Sequence, residues 1–146
     1  MIIDLRELKR TGKDECDFFF EYCPEYELAD IPNVKTIHPV GVCGTVTLTG
    51  QHSAFIEGQA TFILEGECTR CLQQTSNKYV AEFAEQVEQN SDEGYPLVND
   101  KIDLTKIVDD AMLINMPVNF LCKEDCKGMC FNCGANLNVE ECKCNK

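Results

Sequence analysis

Residues 44–50 read Gly-Thr-Val-Thr-Leu-Thr-Gly, a run in which valine and leucine alternate with threonine. Because successive side chains of a β-strand point to opposite faces, this alternation predicts a strand with one buried face. The residues that follow, Gly50–Ser53, are typical of a turn. After the turn the alternation resumes at three apolar positions: Ala60, Phe62 and Leu64. The two segments therefore predict neighbouring antiparallel strands.

Further strands are predicted on both sides of this pair. Towards the N-terminus, Phe18, Phe20 and Tyr22 recur with a period of two, which indicates a strand with an aromatic face. Towards the C-terminus, the same period recurs at four positions: Tyr79, Ala81, Phe83 and Val87. Consecutive strands joined by short turns most simply form an antiparallel meander.

A helix is predicted after the sheet. Asp103 is a plausible N-cap, and the helix would end before Pro117, because the residue before a proline is pushed out of the helical region. Helical spacing is followed by five apolar residues: Leu104, Ile107, Val108, Ala111 and Met112. We therefore expect a helix over about residues 104–115 that covers the sheet.

Two other regions are predicted to lack long regular elements. Pro24, Pro32 and Pro39 interrupt the segment before the sheet, so we expect loops and short extended pieces there. Residues 88–100 are expected to form an exposed acidic loop. The predicted fold class is thus α+β: an antiparallel β-meander, or a partly open barrel, packed by one or two helices.

Length and composition favour a cytoplasmic globular protein. The chain has 146 residues, of which 44% are hydrophobic, and no apolar run approaches the roughly 18 residues that cross a bilayer. The N-terminus is charged from Asp4 onwards and so does not supply a signal-peptide apolar stretch. We therefore expect a cytoplasmic protein with no membrane partner.

The charge of the chain favours a basic partner. Its formal net charge is −12, from 25 acidic and 13 basic residues. Affinity for nucleic acid comes largely from lysine and arginine, which are few here, whereas long-range attraction favours a basic protein. The alternative is that the acidity only keeps the protein soluble.

The cysteine count points to metal. The chain has 11 cysteines, an odd number that fits poorly with full disulfide pairing in a secreted scaffold. In a reducing compartment, closely spaced cysteines more often bind metal or carry out redox chemistry.

The strongest metal-binding pattern lies in the tail. Cys130 and Cys133 are separated by two residues, and after eight intervening residues Cys142 and Cys144 follow. Two close pairs at short separation are typical of a structural four-thiolate zinc site. The tail has little else to bury, so metal binding would supply its folding free energy. We therefore divide the chain into a β-rich α+β domain, residues 1–120, and a cysteine-rich zinc module, residues 121–146.

A second zinc site is a hypothesis based on spacing and number. Cys122 and Cys126 remain in the tail, and Cys68 and Cys71 form another pair with a two-residue gap at a predicted turn between strands. The eight cysteines divide into two sets of four if these two pairs share one Zn²⁺. The remaining Cys16, Cys23 and Cys43 are expected to be buried as small apolar residues.

An enzyme is the less favoured alternative. A redox Cys68–Cys71 pair would need a helix N-terminus to lower its pKa, yet strand-like patterns flank it. All-thiolate zinc sites leave no open position, and the chain has only 2 histidines for a catalytic site. Asp109 and Asp110 are interpreted as one solvated helix face. The alternative left open is a zinc-stabilised thiol-redox or metal-dependent enzyme.

Three segments resemble the YceD family of large ribosomal RNA subunit accumulation proteins. They are residues 68–72, Cys-Thr-Arg-Cys-Leu; Ile-Asp-Leu at 102–104 leading to Met116-Pro117; and residues 122–138. The most specific part of the last segment is residues 125–138, which read Asp-Cys-Lys-Gly-Met-Cys-Phe-Asn-Cys-Gly-Ala-Asn-Leu-Asn. The resemblance covers roughly residues 40–146.

This resemblance implies a non-enzymatic accessory role in ribosome biogenesis. The partner would be a basic ribosomal protein or pre-ribosomal RNA of the large subunit, with no small-molecule substrate. The shared Cys-x-Arg-Cys-Leu turn makes Arg70 a candidate partner-binding residue, beside Lys123 and Lys127, although Arg70 would equally serve to offset thiolate charge. A zinc-stabilised interaction module with no ribosomal role is a further alternative.

Overall fold

Long antiparallel strands dominate the fold. The computed structural model describes residues 1–24 and 31–144, without the side chain of His38. The elements are β1 (Ile2–Asp4), α1 (Leu5–Thr11), β2 (Glu15–Tyr22), β3 (Val34–Gly50), β4 (Ser53–Glu67), β5 (Gln74–Gln89), β6 (Pro96–Leu97), β7 (Lys101–Asp103) and α2 (Leu104–Ile114).

The main sheet is an open meander. Its order is β2-β3-β4-β5-β6, in which β2 to β5 pair antiparallel in sequence order and β6 joins β5 in parallel. Strand β1 pairs with β7 in a separate small sheet. The predicted antiparallel meander packed by helices is therefore confirmed, in its open form and not as a closed barrel.

The alternation predicted from the sequence defines the inner face of the sheet. Val42, Val46, Ile56 and Phe62 are almost completely buried. Val42 lies opposite Ala60, Val46 opposite Ile56, and Phe62 opposite Tyr79. The core continues into residues of both helices: Leu5, Leu104, Ile107, Val108 and Met112. Phe120, after α2, is buried in the same core. Burial of this face, at about 25 cal/mol per Å² of apolar surface, is the main stabilising contribution.

The two central strands approach each other closely at a pair of glycines. Gly44 of β3 lies opposite Gly58 of β4. A Cβ at Gly58 would come within 2.4 Å of the Cys43 carbonyl oxygen and 2.8 Å of the Phe83 ring. The absence of a side chain at Gly58 therefore leaves the space that the Phe83 ring occupies.

Helix α2 begins where the sequence predicts. The Asp103 carboxylate accepts a hydrogen bond from the Thr105 N–H at 2.9 Å, which satisfies one of the N–H groups left free at the helix start. The helix ends at Ile114, one residue before the predicted end. No helix in the described ranges is long and apolar enough to cross a membrane.

Two predicted loops are wrong in part. Strand β3 already begins at Val34 and continues past Pro39, where the pairing with β4 shifts between Ile37 and Gly41. Proline lacks an N–H, and a bulge is one of the places where a strand tolerates it. The earlier part of that prediction, residues 25–30, lies outside the described residues.

The predicted acidic loop, residues 88–100, is shorter than expected. Strand β5 continues to Gln89, and Pro96–Leu97 forms β6 beside it. Leu97 is buried in the core, because the short strand turns its side chain under the sheet. The apolar run at residues 95–98, Tyr-Pro-Leu-Val, is too short to give a periodic signal, so the sequence pattern missed this contact.

Three cysteines and one aspartate differ from the prediction. Cys16 and Cys23 are exposed because they lie at the two ends of edge strand β2, and Cys43 is half-buried on the outer face of β3. Asp109 is buried and accepts a hydrogen bond from the Tyr22 hydroxyl at 2.6 Å. The pair Asp109–Asp110 is therefore not one solvated face: Asp109 faces the sheet.

Candidate metal centres

The turn between β4 and β5 presents one pair of cysteines. The Leu72 N–H donates to the Cys68 carbonyl oxygen at 2.9 Å, and the Cys68 N–H donates to the Gln73 carbonyl oxygen at 2.9 Å. Leu72 has a positive φ of 58°, which closes the turn. Both thiols, of Cys68 and Cys71, are buried by this arrangement.

The segment after α2 brings the second pair to this turn. The Thr69 N–H donates to the Phe120 carbonyl oxygen at 2.8 Å, while the Phe120 side chain is fully buried in the core. The Asn77 side-chain amide donates to the Leu121 carbonyl oxygen at 2.7 Å. These contacts place the cysteines that follow, Cys122 and Cys126, against the turn.

We call Cys68, Cys71, Cys122 and Cys126 the inner cluster. All four sulfur atoms lie within 4.8 Å of one another. The sulfurs of Cys68 and Cys126 are 3.8 Å apart, and those of Cys71 and Cys122 are 3.6 Å apart. A tetrahedral Zn²⁺ with bonds of about 2.3 Å to sulfur requires sulfur–sulfur distances of about 3.8 Å. The inner cluster thus has the spacing of a four-thiolate metal site.

Hydrogen bonds favour the thiolate form of two inner-cluster residues. Burial raises the pKa of Cys68, but the backbone N–H groups of Arg70, Cys122 and Cys71 outweigh it and lower the pKa to about 6. Burial likewise raises the pKa of Cys126, and the Asn138 amide and the Gly128 N–H lower it by more. Thiolates are the form that binds metal.

In the absence of a cation, Cys122 favours the protonated thiol over the thiolate. Burial and the neighbouring thiols raise its pKa to about 12. Four thiolates at this spacing repel one another, so a full set of ligands requires a bound positive charge.

Cys130, Cys133, Cys142 and Cys144 form a second group, which we call the outer cluster. Their sulfurs also lie within 4.8 Å of one another. The Cys130–Cys144 and Cys133–Cys142 sulfur distances are 3.8 Å, whereas Cys130–Cys142 is shorter, at 3.2 Å. Cys133 and Cys142 are exposed, so the outer cluster is more open to solvent than the inner one.

The first outer pair is held by a tight turn. The Gly134 N–H donates to the Cys130 carbonyl oxygen at 2.9 Å, with Gly134 at a positive φ of 72°. The N–H groups of Cys133 and Asn132 lower the pKa of Cys130 to about 6. This arrangement repeats the pattern of the Cys68 turn, in which backbone donors stabilise a thiolate.

The predicted partner-binding residues occupy different environments. The Arg70 guanidinium donates to the Cys126 carbonyl oxygen at 3.1 Å, so Arg70 links the β4–β5 turn to the tail. Lys123 lies 3.8 Å from the Asp125 carboxylate, and both side chains are exposed. Lys127 is exposed, and its backbone N–H donates to the Asn138 side chain at 2.9 Å.

The structure adds one residue to which the sequence assigned no role. Asn138 lies within the specific run of residues 125–138, but its type and position give no ligand signal. In the structure its amide donates to the Cys126 sulfur at 3.4 Å. Only the folded tail brings this side chain, twelve residues further along the chain, to an inner-cluster cysteine.

Comparison with known proteins supplies a family. A model of the family described as large ribosomal RNA subunit accumulation protein YceD matches residues 56–146. A chloroplastic YCED homolog 1 of Arabidopsis thaliana is 39% identical over 46 residues, covering 32% of this chain and 14% of that protein. The corresponding maize (Zea mays) protein is 35% identical over 51 residues, covering 34% and 17%.

A bacterial relative aligns over a longer segment. An uncharacterized protein of Mycobacterium leprae is 34% identical over 94 residues, covering 58% of this chain and 43% of that protein. The chain therefore spans less than half the length of these curated relatives. No solved structure matches. Because the family match extends over more than half of the chain and includes both cysteine clusters, the chain belongs to the YceD family.

Proposed function

We propose that this protein is a non-enzymatic accessory factor in large ribosomal subunit assembly that carries two structural Zn²⁺ ions. The observation that carries the functional part is the family match over residues 56–146. The factor would act by binding a basic ribosomal protein or pre-ribosomal RNA. A reducing compartment such as the cytoplasm would keep its cysteines available as ligands.

The proposal of zinc rests on ligand type and number. Each cluster offers four thiolates, a set that suits zinc or an iron–sulfur cluster and leaves no open position for catalysis on zinc. The test is elemental analysis of protein purified without added metal or chelator. Two zinc ions per chain are expected; iron with acid-labile sulfide would contradict the zinc assignment, and one zinc would disprove a site at one cluster.

We also propose that residues 121–146 fold as a metal-dependent module anchored to residues 1–120. The anchor is the inner cluster, which takes Cys68 and Cys71 from one part and Cys122 and Cys126 from the other. The tail buries little apolar surface of its own, with Phe131 and Val139 fully or largely exposed. Bound metal would therefore provide most of its folding free energy.

The outer face of the main sheet supports a basic partner. We define this face by the outward side chains of β2 to β5. On this face, residues paired across β2, β3, β4 and β5 form rows, and four neighbouring rows begin in β2 at Glu15, Asp17, Phe19 and Glu21. These four rows hold five exposed carboxylates and no lysine or arginine. The five belong to Glu15, Asp17, Glu21, Glu57 and Glu82. None of them forms an ion pair with another of the described residues.

Apolar side chains are interspersed among these carboxylates. Phe19 is 68% exposed and Val80 is 44% exposed, and an open depression of about 530 Å³ lies between Glu57 and Glu82. A surface of this kind attracts cationic segments and gives them apolar contacts, while it repels phosphate. Of the two proposed partners, it favours the basic protein; RNA contact would depend on Arg70, Lys123 and Lys127.

The experiment is affinity capture of large-subunit precursors from cells expressing the tagged chain. The variant Asp17→Asn/Glu57→Gln/Glu82→Gln removes three charges from the outer face and is expected to reduce capture at least tenfold. The matched control, Asp92→Asn/Glu93→Gln/Glu140→Gln, removes three exposed charges elsewhere and should capture normally. Capture that survives the first variant but disappears with ribonuclease would favour RNA; recovery of no ribosomal component would contradict the function.

The enzyme alternative has a separate test. Thiol titration at neutral pH should show no rapid reaction at Cys68 or Cys71 until a chelator is added, because zinc-bound thiolates in a buried cluster react slowly. A fast-reacting Cys68 in the metal-loaded protein would favour thiol-redox chemistry.

A further inference from the structure

We propose that Asn138 couples the two clusters, so that metal in the outer cluster raises the metal affinity of the inner cluster. This inference rests on the proposed metal binding. Asn138 belongs to the eight-residue loop 134–141, which lies between the outer-cluster ligands Cys133 and Cys142. Its side chain, however, donates a hydrogen bond to the sulfur of the inner-cluster residue Cys126.

Both the donor and the acceptor of the Asn138 amide form hydrogen bonds at or next to the inner cluster. The Nδ2 group donates to the Cys126 sulfur at 3.4 Å, and Oδ1 accepts from the Lys127 N–H at 2.9 Å. One side chain therefore stabilises the charge of an inner-cluster thiolate and holds the backbone next to it. Such contacts orient metal ligands and tune their basicity.

The position of Asn138 depends on the fold of its loop. The Asn136 side-chain oxygen accepts from the Asn138 N–H at 3.0 Å and from its Nδ2 group at 2.9 Å. The Leu137 N–H donates to the Gly128 carbonyl oxygen at 3.0 Å, which ties the loop to the segment between the clusters. Gly128 in turn lies against the Arg70 backbone, where a Cβ would be 3.3 Å from the Arg70 oxygen.

Metal in the outer cluster would hold this loop closed. Residues 134 and 139–141 are exposed and residues 135–138 are only half-buried, so burial within the loop offsets little of the entropy lost when its backbone is ordered. Two ligands, Cys133 and Cys142, fix its ends when they share an ion. Without that ion the loop loses this restraint, and the Asn138 amide no longer stays on Cys126.

The coupling is reciprocal. If metal in the outer cluster strengthens binding in the inner one, then metal in the inner cluster strengthens binding in the outer one by the same factor. Loss of a side chain that hydrogen-bonds to a metal ligand typically lowers metal affinity about 10- to 100-fold, which sets the expected size of the coupling. The two clusters would thus fill and empty together.

The experiment is titration of the full chain with Co²⁺, read by thiolate-to-cobalt absorption, followed by competition with Zn²⁺. The variant Cys133→Ser/Cys142→Ser disables the outer cluster. It is expected to lower the Co²⁺ affinity of the inner cluster about tenfold or more, while circular dichroism confirms that the sheet is intact. Unchanged inner affinity would overturn the inference.

Point variants identify the linking residue. Asn138→Ala should lower inner affinity about 10-fold or more in the otherwise unaltered chain, and cause little further loss when the outer cluster is disabled. Asn138→Asp keeps the acceptor for Lys127 but loses the donor to Cys126, so it should be as weak as the alanine variant. Asn119→Ala, at an exposed asparagine just before the tail, is the control and should bind normally.

The outcomes separate this inference from the proposed function. A chain that binds no Co²⁺ or Zn²⁺ overturns both. If the two ions bind independently, the coupling alone is overturned and the two zinc sites stand. The same holds if Asn138→Ala has no effect, or lowers inner-cluster affinity equally with the outer cluster intact and disabled. An Asn138→Asp variant that binds as the unaltered chain does would show that the amide donor is not the link.

Discussion

At the scale of single residues, Arg70 has a structural contact that its sequence context did not require. Its guanidinium donates to the Cys126 carbonyl oxygen and so joins the β4–β5 turn to the tail. The same residue is also our candidate for contact with a partner. The two roles predict different experimental results.

We predict that Arg70→Ala loosens the tail by about 1 kcal/mol, because one hydrogen bond to a charged donor is lost. Hydrogen exchange of amides 122–138 should become faster in this variant. Lys78→Ala, an exposed cation on the outer face of the sheet, is the control and should leave exchange unchanged. If Arg70→Ala leaves tail exchange unchanged but abolishes capture of ribosomal components, then Arg70 serves the partner and not the fold.

Gly58 gives a second prediction at this scale. A methyl group there would lie 2.4 Å from the Cys43 carbonyl oxygen and 2.8 Å from the Phe83 ring, so strand or ring must move. We expect Gly58→Ala to lower the free energy of unfolding by about 1–3 kcal/mol, measured by urea denaturation. Gly41→Ala is the control, since nothing lies within 4 Å of its added Cβ. Equal stability of the two variants would show that the close approach is not a constraint.

At the scale of elements, the turns that carry the cysteines determine the response to pH. Backbone N–H donors lower the pKa of Cys68 and of Cys130 from 9.0 to about 6. In the metal-free chain, a lowered thiol pKa stabilises the folded state. This stabilisation is fully present at pH values above the pKa of the unfolded chain, and it is lost as the pH falls through about 6. Protons also compete with metal for every thiolate.

We therefore predict that zinc is retained at neutral pH and released as the pH falls below about 6. The measurement is zinc release to a chromogenic chelator between about pH 8 and pH 5. Retention of both ions well below this range would mean that bound metal lowers the thiol pKa values much further than the hydrogen bonds do. Release already near pH 8 would contradict stabilisation by the turns.

The elements also show where sequence patterns succeed. Strands β3, β4 and β5 and helix α2 follow from alternation, helical spacing and the Asp103 cap, because each of these signals is local. Strand β6 and the burial of Asp109 do not follow. Strand β6 is too short to show a period, and Asp109 is buried against Tyr22, which is distant in sequence.

At the scale of the whole molecule, the proposed metal ions and the sheet would stabilise different regions. The sheet and its helices have their own apolar core, whereas the buried contacts of the tail centre on the inner cluster. Loss of metal should therefore affect one part of the chain far more than the other.

We predict that a strong zinc chelator unfolds residues 121–144 and leaves the main sheet folded. Limited proteolysis should then cut within the tail and leave a resistant fragment ending near residue 120, with the β-sheet circular dichroism signal retained. Untreated protein should resist cleavage at the same sites. Cooperative loss of the sheet together with the tail would contradict the division into two parts.

The sequence by itself determined the local features of this protein: the alternating strands, the capped helix, the close cysteine pairs and the net charge of −12. These depend on residues within a few positions of one another or on composition alone. The number and spacing of the cysteines could suggest that Cys68 and Cys71 join Cys122 and Cys126, but they could not show that the two pairs lie close together in space. Only the tertiary structure does so, because the segment after α2 crosses the β4–β5 turn at Thr69 and Phe120. The fold of the tail loop, in turn, places Asn138 on Cys126, a contact that arises from chain packing and leaves no periodic signal in the sequence.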